Sequence, residues 1–216
     1  MTGTDAQASV KQSDSELPIA ESCLRNQKPI AEVLHAELPK HSFVLEIGSG
    51  TGQHAAYFTS SLRNITWQPS DVAELLPGIK AWREQSGSEK FLPPIVLDIT
   101  QTQWPVAEVD AVFCANVVHF VGWSKVHSML KGISRVLKDN GLVFFYGPYN
   151  YDGKFTSDGN RELDEWLRQR DAESGIKDFE QVVLAANKAG LNQLKDIEMP
   201  ANNRILILKK YENLGD

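Results

Sequence analysis

From residue 43 onward, short continuous apolar runs alternate with longer stretches in which apolar positions recur every three or four residues. The run Phe43 to Ile47 is brief and β-rich, as a strand covered on both faces must be. The longer stretches suit helices that lay one apolar face on such a sheet. The pattern predicts strands near 43–48, 65–70, 94–99, 109–116 and 141–147, with helices over 22–37, 53–62, 72–86, 122–138, 160–170 and 177–189. Two further strands, 193–198 and 204–210, flank Met199 to Asn203. Their short connection calls for an antiparallel hairpin, because a parallel crossover needs a dozen or more residues. No internal repeat interrupts the series.

Length and composition fit one domain. A chain of 216 residues with 42% hydrophobic content can bury a full sheet core, so no second domain is needed. Residues 1–20 are rich in Ser, Thr, Gln and acids and read as a disordered tail, leaving 21–216 as the folded unit. A net charge of −6 argues against nucleic-acid binding, which calls for a basic patch or stripe. Cys23 and Cys114 are the only cysteines and no apolar segment opens the chain, so neither a disulfide scaffold nor secretion is expected and cytoplasmic residence is the default. No apolar run reaches the roughly 18–20 residues that span a membrane, and no metal-ligating cluster stands out.

The first strand runs into Gly48-Ser49-Gly50-Thr51-Gly52. Without side chains at Gly48, Gly50 and Gly52, the backbone N–H groups around Ser49 can meet a ligand directly. The dinucleotide fingerprint reads G-x-G-x-x-G and the phosphate loop reads G-x-x-x-x-G-K-[ST]; this chain has neither spacing. Glu46 stands two residues before the first glycine, where it disfavours a pyrophosphate and suits the ammonium of an amino-acid ligand. S-adenosylmethionine (SAM) is therefore the expected cofactor.

Glu46 to Gly52 resembles motif I of class I SAM-dependent methyltransferases. The chain from about Arg25 to Lys209 is also similar to the methyltransferase-like protein 26 family, in Arg25-Asn26 before Pro29-Ile30, Leu45 to His54, Trp67 to Asp71, Phe113 to Asn116, Tyr146-Gly147-Pro148 and Glu198 to Asn203. The resemblance implies a Rossmann-like α/β fold. Its sheet would be seven-stranded and mostly parallel, closed by a C-terminal antiparallel hairpin, with helices on both faces.

In such sheets ligands bind beyond the carboxyl ends of the strands, where strand order reverses. Asp71, ending the second strand about 20 residues past the glycine loop, suits ribose hydroxyls; its other reading is a helix cap. Asp98 and Ile99, ending the third, would take the adenine amino group and ring, unless Asp98 holds its own turn. Arg25 would grip the cofactor carboxylate or stand in solvent. Asn116 and His119, after the fourth strand, are reaction-centre candidates on both cofactor and acceptor sides. His119 has the ordinary pKa of a general base, although histidines in apolar settings usually serve structure. Tyr146 is a candidate hydroxyl donor. His54 reads more readily as packing on the sheet than as a ligand contact. Phe120, Trp123, Tyr149, Phe155 and Trp166 gather near the same edge as candidate walls of an acceptor pocket. Met199 to Asn203 is either a left-handed turn or, as the resemblance implies, a substrate-side segment.

Val117 and Val118 occupy the proline positions of the N-P-P-Y motif of amino-group methyltransferases, which weighs against that chemistry. Cys114, in a buried strand, reads as an inert small hydrophobe. The expectation is in-line transfer of a methyl group to a small molecule, driven mainly by positioning. Three alternatives stay open: a SAM-binding protein without catalysis, an enzyme that consumes SAM by elimination or cyclisation, and an NAD-dependent oxidoreductase.

Overall fold

A computed structural model describes residues 17–212. Seven strands form one sheet in the order β3-β2-β1-β4-β5-β7-β6. β1 (Ser42–Ile47) pairs in parallel with β2 (Ile65–Asp71) on one side and β4 (Val109–Ala115) on the other, so strand order reverses between β1 and β4. β3 (Ile95–Val96) extends the sheet beyond β2, and β5 (Leu137–Gly147) beyond β4, both parallel. β7 (Asn203–Lys210) runs antiparallel to β5 and β6 (Leu191–Met199) antiparallel to β7, forming the expected hairpin.

Helices cover both faces. α1 (Glu21–Glu37), α2 (Gln53–Ser61) and α3 (Leu76–Ser86) bury Ile30, Leu34, Phe58 and Ile79 against Val44, Trp67, Phe113 and Phe144. α4 (Trp123–Val136) and α6 (Phe179–Lys188) bury Met129, Ile133 and Val182 against Leu45, Val112, Val143 and Leu208. Neighbours such as Val44 and Leu45 thus point into different cores, which is why each strand reads as a continuous apolar run and not as an alternation. α5 (Asp158–Arg170) is capped by the Ser157 hydroxyl, which accepts from the Asn160 N–H.

Each expected strand and helix has its counterpart, with three boundaries shifted by more than two residues. β3 is two residues long, not the six of 94–99: Pro93 and Pro94 bring no N–H to its start and Asp98 turns the chain at its end. β5 opens at Leu137, paired with Val109 ahead of a register shift, whereas 141 was expected. A 3-10 turn, Ala73–Leu75, delays α3, which starts with Pro77 in its first turn. The expected tail lies, for residues 1–16, outside the described residues. Pro18 and Ala20 are tied down: the Pro18 carbonyl accepts from Trp82 Nε1 at 2.8 Å, and the Ala20 N–H donates to Gln53 Oε1.

Candidate functional site

At the carboxyl ends of β1, β2 and β4 the switch in strand order opens a cleft of about 600 Å³. Its floor is the glycine loop, whose three glycines answer to different constraints. At Gly50, with φ 57°, a Cβ would find no atom within 4 Å, and the residue faces the cleft. At Gly48 a Cβ would strike Val117 Cγ2 at 2.4 Å. At Gly52 it would lie 2.9 Å from the Ile79 backbone, so this glycine admits α3 and does not line the cleft.

The N–H groups around Ser49, expected to meet a ligand, are taken up within the protein instead. The N–H groups of Gly48 and Ser49 both donate to the Ser70 carbonyl, and the Gly50 N–H donates to Asp71 Oδ2 at 2.7 Å. Asp71 Oδ1 accepts from the Val72 N–H, so one carboxylate holds the glycine loop and starts the turn after β2 while lining the cleft. Burial raises its pKa, against the opposing pull of those two N–H groups. Glu46 takes a different place from the one expected. It is 1% exposed beneath the loop, where Oε2 accepts from Ser49 Oγ at 2.7 Å and Trp67 Nε1 at 3.0 Å, and it does not line the cleft. Burial pushes its pKa up to about 7. Its evident role here is to brace Ser49 from inside the sheet.

Asp98, Ile99, Asn116 and Val117 also line the cleft, Val117 directly against Gly48. Asp98 also holds its own turn, with Oδ1 accepting from both the N–H and the hydroxyl of Thr100; these bonds lower its pKa. Asn116, at φ 58°, sits where β4 ends, and its N–H donates to the Tyr146 carbonyl. Exposed Val72, Leu75 and Phe120 add apolar surface to the lining, the kind of patch a folded chain keeps for a ligand. Lys125 is the lone Lys or Arg among the lining residues, and its charge acts on Asp98.

Besides Gly52 and Glu46, the candidates His119, Tyr146 and Arg25 lie off the cleft. His119 is buried in the 3-10 turn Val118–Phe120 and does not line it; burial, then Lys177, lowers its pKa to about 4. Tyr146 is buried at the end of β5 beside Asn26, and burial raises its pKa. Arg25 is exposed on α1. Met199 to Asn203 lies at the same sheet edge but beside a separate hollow of about 450 Å³ with Tyr151 and Arg204. Its Ala201 and Asn202 are left-handed, φ 58° and 54°, as a tight hairpin turn requires.

One meeting of residues was not foreseen from the sequence. The start of α1 forms part of the cleft through Ala20, Ser22 and Cys23, and His54 of α2 stands behind them in the same wall. His54 is 5% exposed, stacked on Phe58 at 5.3 Å between centroids and edge-on to Phe113. Its Nε2 lies 2.7 Å from Asn26 Oδ1 and its Nδ1 4.0 Å from Cys23 Sγ. Burial lowers the His54 pKa to about 4 and, with Glu46, raises that of Cys23 to about 11. Among the described residues, no three His, Cys, Asp or Glu side chains gather to hold a metal, and no helix is long and apolar enough to cross a membrane.

Residues 17–210 match the family model described as Protein of unknown function (DUF938). The fold is shared with solved methyltransferases at low identity. One is an O-methyltransferase family 2 protein from Planctomyces limnophilus in complex with apigenin, 16% identical at a TM-score of 0.78 over 88% of this chain and 58% of that one. Another is the mitomycin 7-O-methyltransferase, at 13% and 0.77 over 88% and 54%. A third is human N-acetylserotonin methyltransferase in complex with SAM, at 14% and 0.69 over 86% and 55%. The chain spans a little over half the length of each.

Proposed function

The chain belongs to the DUF938 family of proteins of unknown function, and we propose that it is a SAM-dependent methyltransferase acting on a small molecule. The observation that carries this reading is the bare backbone at Gly50, which opens into a switch-point cleft between the carboxylates of Asp71 and Asp98. The donor set fits that cofactor. Two acids flank the position of a nucleoside, apolar Ile99, Leu97 and Val72 offer surface for a base, and no Lys or Arg stands at the loop to receive a phosphate. The resemblance to the methyltransferase-like protein 26 family and the shared fold of SAM-using enzymes support the same reading.

When bound, SAM supplies a methyl group activated by a positively charged sulfur. This chain's residues then have to orient and exclude water. Asp71 holds the Gly50 N–H and keeps lone pairs for ribose hydroxyls; Asp98 and Ile99 would meet the adenine; Asn116 faces the reaction space. Positioning of this kind is worth about 7–11 kcal/mol in favourable cases. The acidic chain favours a small acceptor over nucleic acid.

Calorimetry with SAM and with NAD, each alone, tests the cofactor. Mass spectrometry after incubation with SAM and a metabolite extract tests the reaction. SAM binding with S-adenosylhomocysteine release is expected. Binding of NAD alone overturns the reading. Methylthioadenosine as product would make SAM the substrate, and binding without turnover would make the chain a SAM-binding protein.

A further inference from the structure

Of the two histidines at the sheet edge, the one among the residues lining the cleft is His54, which is 5% exposed. We propose that His54 is the catalytic base, taking at Nδ1 the proton of a hydroxyl acceptor, with Asn26 as its positioning residue. This inference rests on the reading of the cleft as a SAM site.

An amide oxygen only accepts, so Asn26 Oδ1 at 2.7 Å assigns the ring proton to Nε2 and leaves a lone pair on Nδ1. Nδ1 lies 4.0 Å from Cys23 Sγ, and Cys23, His54 and Asn116 all line the cleft. Stacking on Phe58 and the edge contact with Phe113 fix the ring plane. The remaining acid–base groups of the wall are committed. Both oxygens of Asp71 hold backbone N–H groups, Asp98 holds Thr100, and burial keeps the Cys23 thiol protonated.

The chemistry restricts the acceptor. As the acceptor oxygen forms its bond to the methyl carbon, the carbon–sulfur bond breaks with its electron pair going to sulfur, and the O–H proton moves to His54 Nδ1. The products are a methyl ether, S-adenosylhomocysteine and an imidazolium that passes its proton to water. Burial makes His54 a weak base, neutral at pH 7, which takes protons only from strong acids. A hydroxyl becomes one as its oxygen is methylated. An ammonium product does not, and a thiol loses its proton before attack.

Ionisable groups facing the ring and its partner are Cys23 on α1, Glu46 on β1 behind Cys23, and Tyr146 on β5 beside Asn26 and Arg25. The test therefore compares wild type, His54→Gln and Asn26→Asp. Nitrogen-15 NMR of histidine side chains should show His54 neutral and protonated at Nε2 from pH 6 to 8 in wild type, with its titration moved upward in Asn26→Asp, where a carboxylate faces Nε2. A proton on Nδ1 overturns the proposal. With a panel of phenols and alcohols, S-adenosylhomocysteine release should fall about 10²–10⁴-fold in His54→Gln while SAM affinity by calorimetry stays within about threefold. The acid limb of the rate profile should move upward in Asn26→Asp. Equal turnover in His54→Gln, or methylation by wild type of amines alone, defeats the base and leaves the cofactor reading standing. Absence of SAM binding by wild type defeats both.

Discussion

At the scale of single residues, identical letters in the glycine loop carry different physics. Gly50→Val places a branched side chain where nothing but the cleft lies, so SAM binding should be lost while the sheet stays folded. Gly52→Ala presses on the Ile79 backbone and should instead lower stability, by roughly 1–3 kcal/mol. Calorimetry and urea unfolding on both variants separate the two; unchanged SAM affinity in Gly50→Val would refute the loop assignment. Glu46 allows a second prediction, with a definite sign. Its folded pKa is raised to about 7 from 4.5, so between those values the folded chain holds a proton the unfolded chain has released. Stability from this group is full below about 4.5 and lost as pH rises through 7. His54, lowered to about 4, acts in the opposite sense, losing stability as pH falls from 6.5 toward 4, and is common to both proteins compared. Glu46→Gln should then match wild type at pH 5 and exceed it by roughly 2–3 kcal/mol at pH 8.5, read from urea curves at the two pH values. Equal stability at pH 8.5 would mean that the carboxylate is ionised in its pocket.

Among elements, the tightest fit lies where the α4 helix meets the chain between β3 and β4. A Cβ on Gly132 would sit 2.0 Å from Trp104 Cζ2, so the indole ring occupies the place of a side chain on α4. Alanine is the better helix former by about 1 kcal/mol, yet Gly132→Ala should destabilise, by roughly 1–2 kcal/mol, because overpacking outweighs propensity. The double variant with Trp104→Leu should lose less than the sum of the singles; strict additivity in urea unfolding would refute the steric account. Legibility in the sequence follows the same division between local and distant contacts. The strands were readable because both their faces are covered, and the glycine loop because it is contiguous. The brevity of β3 was foreshadowed by Pro93-Pro94. The phase of the turn after β4 was not: one 3-10 turn buries Val118 and His119 and leaves Phe120 outside, with no periodicity to reveal it. Nor was the meeting of Cys23, Asn26 and His54, since their sequence separation, 28 residues for Asn26 and 31 for Cys23, is bridged only by how α1 docks on α2. Asp71 and Asp98 show the opposite case, where a structural bond and a place in the cleft belong to one carboxylate and the two readings do not compete.

For the molecule as a whole, the cleft joins parts of the chain that lie far apart in sequence: the start of α1, the loop after β1, the turns after β2 and β3, and the end of β4. A ligand seated there touches only the folded state, because the unfolded chain cannot assemble those walls. Its binding free energy therefore adds to stability as RT ln(1 + [L]/Kd), about 2.7 kcal/mol at one hundred times Kd. For a chain of 216 residues, each kcal/mol moves the melting midpoint by about 2–4 °C, so saturating SAM should raise Tm by about 5–10 °C. NAD at equal concentration should leave it unchanged, because its pyrophosphate would meet Asp71 and no basic group at the loop. Gly50→Val should unfold at its own midpoint with or without SAM, which ties the shift to the cleft and not to weak binding elsewhere. The outcome is decisive because the protein can be scanned without knowledge of its acceptor: a flat response to SAM, or an equal response to NAD, would remove the cofactor from the account while leaving the sheet and its two cores as described.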